Sequence, residues 1–144
     1  FRLPLMADKT GQARANGGVT FEDTNWYELQ ILDSYGLEGK DNECGGLYKI
    51  AAPKINMCRP PLIWQTYDIE FHSPRYTTAG DLVQVGSISV KHNGKQIHKD
   101  VKLPDSDKAR RRRKSAPDGV SSGRIILHYH KDPVEYRNIW LKEL

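Results

Sequence analysis

The chain has 144 residues, of which 28% are charged, and carries a formal net charge of +4. That length supports one domain with a sizeable core and not two, and no stretch approaches the roughly 20 consecutive apolar residues of a membrane-spanning helix. Tyr, Trp, Ile, Leu and Val are spread along the whole chain, which argues against wholesale disorder.

The first residues, Phe1-Arg2-Leu3-Pro4, contain neither an initiator methionine nor a signal peptide, so the start reads as cut from something longer. Helical periodicity is hard to find, and strand signals dominate. The first predicted strand covers 18–21. The second, 26–33, reads "WYELQILD". In an extended chain Tyr27, Leu29 and Ile31 share one face while Glu28 and Gln30 share the other. One face packs and the other is free to do chemistry. A third strand is expected at 46–50, between Cys44 and Cys58.

Those two cysteines have neither a Cys-x-x-Cys spacing nor the histidine partners of a zinc site. Their separation suits a disulfide closing a surface loop, which contributes about 3 kcal/mol for a loop of about 15 residues. The alternative is a pair of buried thiols. A bridge implies an oxidising compartment.

The strand predicted at 65–71 follows Trp64 and repeats the polar and apolar alternation: Gln65, Tyr67, Ile69 and Phe71 against Thr66, Asp68 and Glu70. Strands at 82–92 and 95–101 flank "HNGK", where Asn-Gly supports the positive φ angles of a tight hairpin. The segment 105–122 holds "KARRRRK", Lys108 to Lys114, a large share of the basic residues, and outside it the charge balance is near neutral. Such a run reads as a solvated surface loop, with a nucleic-acid or anionic-surface contact as the lesser reading, since aromatic stacking residues are not interleaved there. Two further strands are expected at 124–130 and 136–142, the last containing Arg137, Asn138 and Trp140.

Short strands with polar turns and no intervening helices predict an all-β domain, 1–144, built as an antiparallel two-sheet sandwich. A sheet face carrying aromatic and polar side chains makes a groove suited to sugars. Sugar rings offer apolar C–H faces to aromatic rings and hydroxyls to amides, carboxylates and arginine. Trp64, Trp140, Gln30, Asn138, Glu28, Asp68 and Arg137 supply those types, and periodicity alone equally allows some of them to face solvent on an outer sheet.

Four strings, "YELQILDSYG", "CGGLYKIAAP", "NMCRPPLIWQTYDIEFHSPRY" and "PVEYRNIWLKEL", together with "ANGGV" and the "NGK" turn, resemble in order the 3-keto-disaccharide hydrolase domain family. The resemblance implies a concanavalin A-like (glucanase-like) jelly-roll sandwich. It covers about the C-terminal two-thirds of the family domain, so the first strands are expected from another segment or chain. The 105–122 loop is an insertion relative to the family. In "LHYHKDP", His130 matches a family position while Tyr129 and Lys131 depart from it.

What the resemblance implies is cleavage of 3-keto-glycosides in a secreted or periplasmic bacterial setting. A ketone at sugar carbon 3 acidifies the proton on carbon 2, so a base can remove it, the enolate can expel the group on carbon 1, and water can add back. That route needs a base, stabilisation of the enolate oxygen, and an acid for the leaving oxygen. Glu28 is the candidate base or metal-holding carboxylate, His130 an acid, base or ligand, and Arg137 an enolate stabiliser or partner of Glu28. Gln30, Asp68, Trp64, Trp140 and Asn138 are candidate substrate contacts. Whether Glu28, Asp68 and His130 share a divalent metal ion is left open by spacing, since the ligands would come from separate strands. The competing reading is a non-catalytic, lectin-like carbohydrate-binding domain.

Overall fold

The computed structural model describes residues 1–22, 25–106 and 123–143. Its strands are β1 (Gly17–Glu22), β2 (Trp26–Ile31), β3 (Tyr67–His72), β4 (Arg75–Tyr76), β5 (Leu82–Gln84), β6 (Ser87–His92), β7 (Lys95–Lys102) and β8 (Arg124–Tyr129). They form one antiparallel sheet in the order β2-β1-β8, a second in the order β3-β6-β7, and a small β4-β5 ribbon. Among the described residues no helix is long and apolar enough to cross a membrane.

The two larger sheets face each other across the core, as the alternation predicts. Phe21, Tyr27 and Leu29 from the first sheet meet Ile88, Val90 and Ile97 from the second. Phe21 and Phe71 stack with ring centroids 4.5 Å apart. A second cluster, Leu3, Ala15, Ile31, Cys44 and Cys58, continues the core beyond β2. The chain is therefore an all-β antiparallel sandwich. On β8, Ile125, Leu127 and Tyr129 lie opposite Phe21, Val19 and Gly17 on the core side, yet all three are exposed, β8 being the last strand of this sheet among the described residues.

The β6–β7 hairpin turns at Asn93 (φ +50°) and Gly94 (φ +79°), the two positive angles that "HNGK" predicts. Asn93 also ties the turn to its surroundings, accepting from the Thr66 amide at 3.1 Å and donating to the Met57 carbonyl at 2.9 Å.

Four expectations are corrected. The 46–50 segment is not a strand but a short border on β2: the Gln30 amide donates to Gly46 O at 2.9 Å and the Tyr48 amide to Glu28 O at 2.9 Å. Lys49 (φ +59°) then turns the chain away. The 82–92 strand breaks before β6 at Gly86, where any Cβ would stand 2.9 Å from Pro74 Cδ and 3.0 Å from His72 O. The 136–142 segment forms no ladder among the described residues, and Asn138 sits at φ +52°. Alternation marks a segment able to pair, and pairing also needs a neighbour. Finally, Cys44 and Cys58 are free, buried thiols, so the expected bridge and the compartment argued from it find no support. The Cys44 Sγ lies 3.2 Å from the Tyr67 hydroxyl, which donates to the Gln30 carbonyl at 2.8 Å. Of the 105–122 loop, the basic run Lys108 to Lys114 lies outside the described residues.

Candidate functional site

Register decides which side chains meet on the outer face of the β2-β1-β8 sheet. Gly18 of β1 lies opposite Gln30 on one side and His128 on the other, and Thr20 lies opposite Glu28 and Ile126. Directly opposite residues of antiparallel strands project to the same side. Trp26, Glu28 and Gln30 of β2 therefore share a surface with Gly18 and Thr20 of β1 and with His128 of β8.

Gly18 is a notch in that surface, and Glu28 fills it. A Cβ on Gly18 would stand 2.6 Å from Glu28 Oε1, too close for any real contact, so the carboxyl occupies space that only glycine leaves. This lean carries Oε1 to 3.5 Å from His128 Nδ1. The same nitrogen lies 3.3 Å from His130 Nε2, and the two imidazoles meet edge to face at 5.3 Å. One atom from each of Glu28, His128 and His130 lies within 4.8 Å of the others.

Glu28 is only 7% exposed, and its burial raises the carboxyl above the usual carboxylate range, with the His130 charge pulling partly back. Burial lowers His128, which keeps that imidazole neutral at neutral pH. A buried base and a neutral imidazole donor thus stand side by side. Two imidazoles and a carboxylate are also a donor set suited to a divalent transition metal, and the Gly18 notch that lets the carboxyl reach both rings makes the residues fit such an ion.

The floor around the cluster has unused hydrogen-bonding capacity. Gln30 Nε2 donates to Gln12 Oε1 at 3.0 Å, and Gln12 Nε2 to the Asn42 carbonyl at 2.8 Å. Gln30 Oε1, Thr20 Oγ1 and Asn16 Oδ1 are buried and have no partner among the described residues. Buried polar atoms are nearly always satisfied, and Thr20 and Gln30, on the sheet face that carries Glu28, are exceptions.

Of the residues singled out from sequence, Glu28, Gln30 and His130 come together. Asp68 does not join them: it is exposed on the outer face of β3, opposite Lys91, so the whole sandwich stands between it and Glu28. Arg137 lays its guanidinium 3.8 Å over the Trp64 ring, with Arg2 5.0 Å from the same ring and paired to Glu135 at 2.6 Å. Both Arg137 and Trp64 are thereby engaged with each other. Trp140 is 80% exposed beyond Asn138, and no hydrogen bond or ring contact among the described residues joins either to Glu28. His128 and Trp26 belong to the site and escape the sequence reading. His128 was detectable as the partner of His130 in a His-x-His alternation, which puts both rings on one side of a strand.

Residues 1–142 match the family of the 3-keto-alpha-glucoside-1,2-lyase-like domain. The chain is also similar, at 25% identity and a TM-score of 0.68, to the crystal structure of a "putative glycosyl hydrolase" from Parabacteroides distasonis ATCC 8503. The match covers 92% of this chain and 55% of that one, so the chain spans about half the length of its solved relative. No curated protein gives a match.

Proposed function

Since this chain belongs to the 3-keto-alpha-glucoside-1,2-lyase-like family, and is a carbohydrate-active domain on that ground, we propose that the Glu28 cluster cleaves 3-keto-glycosides by elimination. The observation that carries the reading is the Glu28 carboxyl, buried over Gly18 and set 3.5 Å from a neutral His128. Its raised proton affinity suits a base for the weakly acidic hydrogen on sugar carbon 2. His128, donating an N–H from a neutral ring, stabilises the oxygen of carbon 3 as charge develops there. His130, exposed at the rim, delivers the proton that the leaving oxygen of carbon 1 requires.

A divalent cation is compatible with the same residues. Glu28, His128 and His130 would hold it, and when bound it would supply Lewis-acid stabilisation of the enolate oxygen. The experiment is incubation with a 3-keto-glucoside, following release of the aglycone, with and without a chelator and with divalent metal restored. Release abolished in Glu28→Gln supports the elimination. Loss of release on chelation, restored by metal, adds the ion. Binding measured by calorimetry without any release would move the assignment to a lectin-like carbohydrate-binding domain.

A further inference from the structure

Trp26 stands beside the Glu28 cluster without a task in the chemistry above. It opens β2 two residues before Glu28, so alternation aims it at the same face. Its ring lies 5.1 Å from that of His128, tilted by 44°. Even so, 57% of its surface remains exposed. An indole is a large apolar surface that is highly buried on average, and leaving it open to water forgoes hydrophobic stabilisation. Next along the same face is the Glu28 carboxyl, followed by the His128 ring and the exposed His130. An apolar plate next to a carboxyl and two imidazoles is complementary to a pyranose ring, which has a C–H face and a rim of hydroxyls.

We propose that Trp26 is the platform on which the C–H face of the cleaved sugar ring lies, holding carbon 2 against Glu28. This rests on the function proposed above and adds a substrate-positioning residue to it. The platform binds the ring equally before and during proton removal, so it acts on binding and not on the chemical step.

The test is steady-state kinetics of the whole chain on a 3-keto-glucoside, together with the indole N–H resonances of the three tryptophans during titration with that sugar. Trp26→Ala is expected to raise KM about tenfold with kcat within about twofold, and Trp26→Phe to restore most of the affinity. The indole signal lost in Trp26→Phe should be the one that moves on titration. A Trp26→Ala enzyme with unchanged KM overturns the platform and leaves the elimination standing. A fall in kcat alone, not rescued by Phe, also overturns it. A wild-type chain that neither turns over nor binds the sugar removes both readings.

Discussion

Gly18 and Glu28 act as one unit, because the carboxyl sits where a Cβ would be. Gly18→Ala meets only the end of a flexible side chain, so the sheet should tolerate it while Glu28 turns away from His128. The expected outcome is activity lower by about a hundredfold, the scale of an ångström misplacement, with a stability change of no more than about 1 kcal/mol. Kinetics paired with chemical denaturation check this, and equal loss of both would contradict it. Glu28 itself has a raised proton affinity, so the folded state keeps a proton that the unfolded chain has already lost. Its contribution to stability is therefore present at low pH and lost as pH rises through the raised value. Glu28→Gln has no charge to bury, and should gain stability relative to wild type as pH rises from the ordinary glutamate value through the raised one. A gap between the two melting temperatures that does not change with pH would argue against a desolvated carboxyl. Glu28 and Gln30 were legible in sequence because alternation sets their face. Their meeting with His128 was not, since it depends on the pairing of Gly18 with a strand more than a hundred residues away.

The elements divide in the same way. The β6–β7 hairpin was readable because its turn chemistry is local: Asn93 and Gly94 take the left-handed angles that few residues tolerate. Gly94→Ala has open space around it but the wrong backbone preference, and should cost about 1 kcal/mol. The hairpin belongs to the sheet opposite Glu28, so kcat and KM should not move; a changed kcat would show that the two sheets are coupled. The 136–142 segment shows the limit of local reading. Its pattern is that of a strand, but a ladder is a property of two segments, and among the described residues the nearest bridge, Arg2 with Glu135, lies just before it. Arg137 and Trp64 likewise carry residue types suited to sugars and are spent on each other.

For the whole molecule, the two-sheet sandwich followed from the strand count and alternation, whereas the order of strands depends on long-range pairing. The core also contains a titratable group. His92 is fully buried between Phe1 and Tyr67, with Nε2 3.0 Å from Gln65 Oε1, and burial lowers it to about 4. Because the folded value lies below the unfolded one, the stabilisation is complete above pH 6.5 and is lost as pH falls towards 4. The loss amounts to about 3 kcal/mol. Urea unfolding across that range should show it, and His92→Gln should flatten the slope; an equally steep slope in the variant would assign it to other groups.

The proposed elimination requires that the chain remove the proton on carbon 2 of a 3-keto-glucoside. The most direct measurement is proton NMR of that substrate with the protein in deuterated water. The carbon-2 hydrogen should be lost as the aglycone is released, any 3-keto-glucose formed should carry deuterium at carbon 2, and Glu28→Gln should do neither. Release with the original hydrogen retained at carbon 2 would contradict it and point to direct displacement at carbon 1.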